Sequence, residues 1–202
     1  MSKVEAVVFD IGNVLVGWQP ECVYDRLIGP ARRQELFDEV DLEGMNAQVD
    51  RGALLAESVN ALAKAHPHWA EEIRLWQVHW DDMFAPVIDE TVALLKAFKT
   101  QGMPVFALSN FGAETFARAR ARHDFLDAFD AAFISGHLGV LKPEPEIYAA
   151  LEKATGLAGD KLFFIDDRAD NIAAARARGW QAHHFTGPAA LRRDLVASGV
   201  LS

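Results

Sequence analysis

Val4-Glu5-Ala6-Val7-Val8-Phe9-Asp10-Ile11-Gly12-Asn13-Val14-Leu15 decides how the rest of the chain reads. From Val4 to Phe9 the residues are mostly β-branched or aromatic, and the run breaks at Asp10 and Gly12. An apolar run of this length, stopped by turn residues, reads as a parallel strand buried on both faces. Three later runs repeat the pattern. They are Val105–Leu108 before Ser109-Asn110, Leu162–Ile165 before Asp166-Asp167, and a weaker Ala131–Ile134 before Ser135-Gly136.

Helical patterns fill the intervals at Glu90–Thr100, Ala113–Arg122, Glu146–Ala154 and Asn171–Arg178, the last closed by Gly179. Strands alternating with helices predict an α/β fold built on a right-handed, doubly wound parallel sheet. Residues 19–86 break the alternation, because Tyr24, Leu27, Leu36, Phe37, Leu54, Leu55, Val59, Leu62, Ile73 and Trp76 fall mostly at helical spacing. The expected organisation is an α/β core of residues 1–18 and 87–202, with a helical cap of residues 19–86 inserted directly after the first strand. Pro20 and Pro86 mark its ends.

Composition narrows the function. With 202 residues, half of them apolar, the chain suits one folded unit carrying an insert. A formal charge of −9 argues against a nucleic-acid or membrane-surface binder, since polyanions call for clustered Lys and Arg. Cys22 is the single cysteine, which excludes an intramolecular disulfide and reads as a half-buried cap residue. Acidic Glu5 precedes any long apolar stretch, so neither a secretory segment nor a membrane span is expected, and the expected location is the cytoplasm. The expected state is a monomer or a homodimer.

Ligands of open α/β sheets bind beyond the carboxyl ends of the strands. The residues that terminate the apolar runs, Asp10, Ser109, Asn110, Asp166 and Asp167, should therefore converge in one crevice. Lys142 lies in Gly139-Val140-Leu141-Lys142-Pro143-Glu144-Pro145, where Pro143 disfavours a helical Lys142 and Pro145 suits a first helical turn. A lysine in that loop can point at the same crevice. The set offers a carboxylate nucleophile, phosphate donors, a cation and an acidic pair able to hold a hard metal such as Mg²⁺. Mg²⁺ and Lys142 would offset the repulsion between Asp10 and a dianionic phosphate, giving an aspartyl-phosphate intermediate. Each residue alone has an ordinary structural role as turn, cap or surface charge, and only in company do they point to phosphoryl transfer. His183-His184 is no metal pair, since neighbours on a strand point to opposite faces.

Phe9-Asp10-Ile11-Gly12-Asn13-Val14-Leu15 resembles the first motif of the haloacid dehalogenase superfamily. Leu108-Ser109-Asn110, Leu141-Lys142-Pro143 and Phe164-Ile165-Asp166-Asp167-Arg168-Ala169-Asp170-Asn171-Ile172 resemble its second, third and fourth motifs, in order. Within it, Asp50-Arg51-Gly52 and the segment from Trp80 to Pro86 look like the sugar-phosphate phosphatases related to the phosphatase domain of soluble epoxide hydrolases. The resemblance implies a Rossmann-like core and a Mg²⁺-dependent phosphatase acting on a small phosphorylated metabolite, with sugar phosphates the expected class. It makes Asp10 the nucleophile and a metal ligand, Gly12 a metal ligand through its carbonyl, and Asp167 and then Asp166 the further ligands. Ser109, Asn110 and Lys142 would hold the phosphate, and Asn171 would support the site from behind. Trp18 and Arg51 are the candidate substrate contacts near and within the insert.

The resemblance departs from the phosphatase pattern at one place. The residue two after the nucleophile is usually an aspartate acting as general acid and base, and here it is Gly12. Either the substrate has a good leaving group, or the insert lends a proton donor, with His79, Asp81 and Asp82 as candidates. A 2-haloacid dehalogenase needs no metal and fits Asp166-Asp167 less well. A weakly active or non-catalytic binding protein would also follow from Gly12, and a phosphomutase shares the same core. A receiver-like signalling domain places its acidic pair before the acceptor, the reverse of the order here.

Overall fold

The computed structural model describes residues 4–201; residues 1–3 and 202 of the expected core segments lie outside the described residues. Five parallel strands form the sheet: β1 (Ala6–Phe9), β4 (Val105–Ser109), β5 (Ala131–Ile134), β6 (Leu162–Asp166) and β7 (Gln181–His184), in the order β5-β4-β1-β6-β7. The chain moves outward from β1 through β4 to β5, then returns to the other side of β1 for β6 and β7. That reversal opens a crevice at the carboxyl ends of β1, β4 and β6.

Side-chain alternation explains why β1 is central. Val7 and Phe9 pack into the cluster on one face, while Ala6 and Val8 pack into the cluster on the other, and all four are fully buried. Helices α7 (Asp89–Thr100), α8 (Ala113–Arg122), α10 (Pro145–Thr155), α11 (Ala169–Ala177) and α12 (Pro188–Ala197) cover the sheet, with the one-turn α9 (Ser135–Leu138) following β5. Pro145 opens α10, where the missing N–H costs nothing. Gly179 has φ +82°, the left-handed geometry that ends α11.

Helices α1 (Pro20–Ile28), α2 (Pro30–Glu39), α3 (Leu42–Asp50), α4 (Leu55–Ala65), α5 (Ala70–Val78) and α6 (Trp80–Met83) lie between β1 and β4. A short antiparallel ribbon of β2 (Val16–Trp18) and β3 (Phe84–Val87) brackets them. The ribbon and α12 are absent from the sequence reading, and β7 enters it only as the strand expected at His183-His184. Three- and four-residue strands carry too little periodicity to stand out, and β7 is the polar Gln181-Ala182-His183-His184. Leu27 and Leu54, apolar residues in or flanking the insert's helical stretches, are exposed, whereas Tyr24, Leu36, Leu55, Val59, Ile73 and Trp76 are buried in a cluster shared with one face of the sheet. Cys22 is exposed rather than half-buried: it sits on α1 beside buried Val23 and Tyr24 and lines the open cavity between the insert and the sheet. No helix among the described residues is long and apolar enough to cross a membrane.

Behind the site, Phe164 on β6 packs edge-on against Tyr148 and Trp180, with ring centroids 6.1 Å and 5.9 Å away. Truncating a fully buried ring leaves a cavity as well as losing its transfer energy. Phe164→Ala is expected to lower stability by about 3–5 kcal/mol in urea unfolding.

Candidate active site

Asp10 follows β1 directly, and its backbone N–H donates to the Ile165 carbonyl at 2.8 Å, which ties it to β6. Its Oδ1 accepts from the Ile11 N–H and from Ser109 Oγ, both at 2.7 Å, and its Oδ2 lies 2.9 Å from Lys142 Nζ. The carboxylate is thus fixed on two sides, and the residue is only 7% exposed.

Lys142 reaches the same point from the loop before α10. The Asn110 side chain clamps this loop by accepting from the Lys142 N–H at 2.7 Å and donating to the Lys142 carbonyl at 3.0 Å. Asn110 therefore spends its carbonyl and one amide hydrogen on positioning Lys142, and one N–H remains for a ligand. The ammonium donates to Asp166 Oδ2 at 2.6 Å and lies 5.5 Å from the Phe164 ring centroid. Burial pulls its pKa down, but the Asp10 and Asp166 carboxylates outweigh burial and hold it above the ordinary lysine value. It is a fixed positive charge.

Asp166, at the end of β6, is fully buried and saturated with donors. Besides Lys142 it accepts from the Arg168 N–H at 2.8 Å and from Asn171 Nδ2 at 3.0 and 3.1 Å. The Arg168 contact is a turn closing on its own strand end, so neither aspartate caps α11 with a side chain. Asp167 is half-buried, and its Oδ2 accepts from Asn13 Nδ2 at 3.1 Å. Asp170 turns away into an ion pair with Arg168 at 2.8 Å.

Carboxylate oxygens of Asp10, Asp166 and Asp167 lie within 4.8 Å of one another. The crowding has an electrostatic signature. Burial, then Asp166 and Asp167, raise the Asp10 pKa against the pull of Lys142 and Ser109; burial and Asp166 raise that of Asp167 against Asn13. The oxygens of Asp10 and Asp167, with Asp166 close beneath them, suit a hard divalent cation, which would relieve this repulsion.

Asn13 is a residue the sequence reading quoted but gave no task. It is the one non-glycine among the described residues with positive φ, at 55°, a conformation asparagine tolerates. From there its side chain accepts from the Trp18 N–H at 2.9 Å and donates to Asp167, linking the ribbon to the acidic pair. An asparagine directly after Gly12 is the signal that could have revealed this turn.

A cavity of about 820 Å³ opens above the cluster, between the strand tips and the insert. Asp10, Gly12, Ser109, Asn110, Lys142 and Asp167 line its floor, and Trp18, Trp76, Trp80, Phe84 and Phe111 contribute aromatic wall. Trp18 packs on Trp76 and Trp80 at 5.8 and 5.9 Å, so it lies at the cavity as expected. Asp166 lies beneath the floor, behind Lys142.

Arg51 is a correction. Its guanidinium is absent from the cavity wall because Glu144 holds it on the surface, at 2.5 and 3.2 Å, with the Gly139 carbonyl at 3.3 Å. The insert's expected proton donors are also elsewhere. His79 Nδ1 pairs with Asp82 at 2.8 Å, Asp81 takes Arg118 and Arg122 at 3.0 and 2.7 Å, and none of the three lines the cavity.

Comparison with known proteins agrees with this geometry. The model of a hydrolase family described as haloacid dehalogenase-like matches residues 4–179. The chain is 27% identical to the sesquiterpene phosphatase astK of Aspergillus oryzae, over 95% of this chain and 94% of that protein. It is 22% identical to the D-ribitol-5-phosphate phosphatase of Bacteroides thetaiotaomicron, over 96% and 97% of the two chains. Among solved structures, a haloacid dehalogenase family enzyme of Bacteroides thetaiotaomicron in complex with magnesium and inorganic phosphate superposes with TM-score 0.71 at 21% identity, covering 91% of this chain and 95% of that one. At that identity the likeness is one of fold.

The double contact between Asn110 and the Lys142 backbone yields a test. Asn110→Ala is expected to cost about 1–3 kcal/mol in denaturant unfolding, the loss of two hydrogen bonds at a partly buried loop.

Proposed function

Because this chain belongs to the haloacid dehalogenase-like hydrolases, we propose that its strand-tip cluster is the centre of a Mg²⁺-dependent phosphatase. Its substrate is a small phosphorylated metabolite, and its nucleophile is Asp10. One observation carries the reading: the Asp10 carboxylate faces both a buried lysine and an acidic pair, in a cavity large enough for an organic phosphate ester.

Attack by a carboxylate on a phosphate dianion fails unless positive charge is concentrated at the phosphorus. Lys142 brings one such charge, and its two carboxylate partners keep it protonated. The carboxylates of Asp10 and Asp167, with Asp166 beside them and the Gly12 carbonyl, are the oxygens that would hold Mg²⁺. The ion, when bound, supplies further charge neutralisation at the phosphoryl oxygens. Ser109 Oγ keeps Asp10 Oδ1 engaged, which leaves the Oδ2 edge toward Lys142 as the reactive side. The remaining N–H of Asn110 can donate to the phosphoryl group. Displacement gives an aspartyl-phosphate at Asp10, which water then hydrolyses.

The relatives' names span a terpenoid and a sugar-alcohol phosphate, and this cavity offers both aromatic wall and polar floor. A small organic phosphate monoester is the substrate class, with sugar phosphates included. The acidic pair favours this chemistry over metal-free dehalogenation.

The test is phosphate release from 4-nitrophenyl phosphate with Mg²⁺. The expected outcome is turnover that EDTA abolishes and added Mg²⁺ restores, and that falls to the uncatalysed level in Asp10→Asn. Undiminished turnover in EDTA, or in Asp10→Asn, refutes the reading.

A further inference from the structure

In-line displacement puts the attacking and leaving oxygens on opposite sides of phosphorus. Asp10 attacks from the strand tips, so the leaving oxygen faces the wall that the insert provides. Position 12 has room for a side chain, since a Cβ there would meet nothing within 4 Å, yet it carries none. An acid for a poor leaving group has to come from elsewhere.

Outside the Asp10 cluster, four carboxylates line the cavity: Glu21, Asp41, Glu43 and Asp50. The first three are exposed, and Asp41 is occupied in capping α3 through the Gly44 N–H at 2.7 Å. Asp50 differs in burial and in placement. It is the last residue of α3, it is half-buried, and burial pushes its carboxyl up to about 7 despite the opposing pull of the Gly112 N–H. Asn46 Nδ2 donates to its Oδ2 at 3.0 Å.

Its backbone is fastened to the catalytic loop. Ser135 Oγ donates to the Asp50 carbonyl at 2.5 Å and accepts from the Phe111 N–H at 2.8 Å, two residues beyond Ser109. The close approach depends on glycine, since a Cβ at Gly112 would lie 2.8 Å from Val49 Cγ1 and 3.0 Å from the Val49 carbonyl oxygen. The insert thus presents one half-buried carboxyl to the cavity from a point locked to the loop after β4.

We infer that Asp50 is the proton donor to the leaving alcohol, doing from the insert what an aspartate at position 12 does from the floor. The inference rests on Asp10 as nucleophile. An Asp10 carboxylate oxygen bonds to phosphorus, and the P–O bond to the alcohol breaks with its electron pair on the leaving oxygen. That oxygen takes the Asp50 proton. The Asp50 carboxylate then accepts a proton from the water whose oxygen attacks phosphorus, and the P–O bond to Asp10 breaks. Alcohol and inorganic phosphate leave, and both side chains return to their starting states.

The test is leaving-group dependence in the full chain with Mg²⁺. Asp50→Asn is expected to lower kcat/KM for butyl phosphate by about 10²–10⁴-fold while lowering it less than about 5-fold for 2,4-dinitrophenyl phosphate, whose leaving group needs no proton. Asp50→Glu, which keeps an acid, should retain more of the butyl phosphate rate than Asp50→Asn. Asp10→Asn silences both esters, so an error in the nucleophile appears there and not in the Asp50 variants. An unchanged butyl phosphate rate, equal loss on both esters, or parity of the Glu and Asn variants overturns the assignment.

Discussion

The ammonium of Lys142, buried between the carboxylates of Asp10 and Asp166, is the interaction on which the site depends. Taking such charges out of water costs several kcal/mol for each ion, and attraction offsets this only when the remaining lone pairs and protons are also satisfied. The surroundings meet that condition. Asp166 accepts from Asn171 and the Arg168 N–H, Asp10 accepts from Ser109 and the Ile11 N–H, and Asn110 fixes the lysine loop at both its N–H and its carbonyl. Polar residues at the ends of β1, β4 and β6 therefore form one network, and the parallel register of those strands sets its dimensions.

The insert completes the site through contacts of different physical kinds. Apolar packing joins its interior to one face of the sheet, and an aromatic band from Trp18 through Trp80 to Phe111 crosses the junction. Ion pairs fasten its rim, with Arg51 on Glu144 and Asp81 on Arg118 and Arg122. Exposed pairs of this sort contribute little stability. They lie where the end of α3 and α6 meet the core. The Ser135 bridge and the side-chain-free Gly112 then bring the end of α3 against the loop after β4.

With a net charge of −9, the chain would hold a phosphorylated ligand only where positive charge is concentrated. Lys142 is one such charge, and the carboxylates of Asp10, Asp166 and Asp167 would add to it only by holding a divalent cation, within a few ångströms and in a low dielectric that magnifies each interaction. Elsewhere the acidic excess remains on the surface.

The sequence by itself determined the alternating strands and helices, the helical character of the insert, and the residues at the strand tips. Each of these follows from a local pattern: apolar runs stopped by Asp10, Ser109 and Asp166, or helical spacing such as Leu55 with Val59. Only the tertiary structure decided the short β2–β3 ribbon, the supporting role of Asn13, the capture of Arg51 by Glu144 and the meeting of Asp50 with the cavity. Those depend on contacts between residues far apart in the chain, as Asn13 is from Asp167 and Arg51 from Glu144. Periodicity shows which face of an element is apolar; it carries no information about which polar group from another element will meet it.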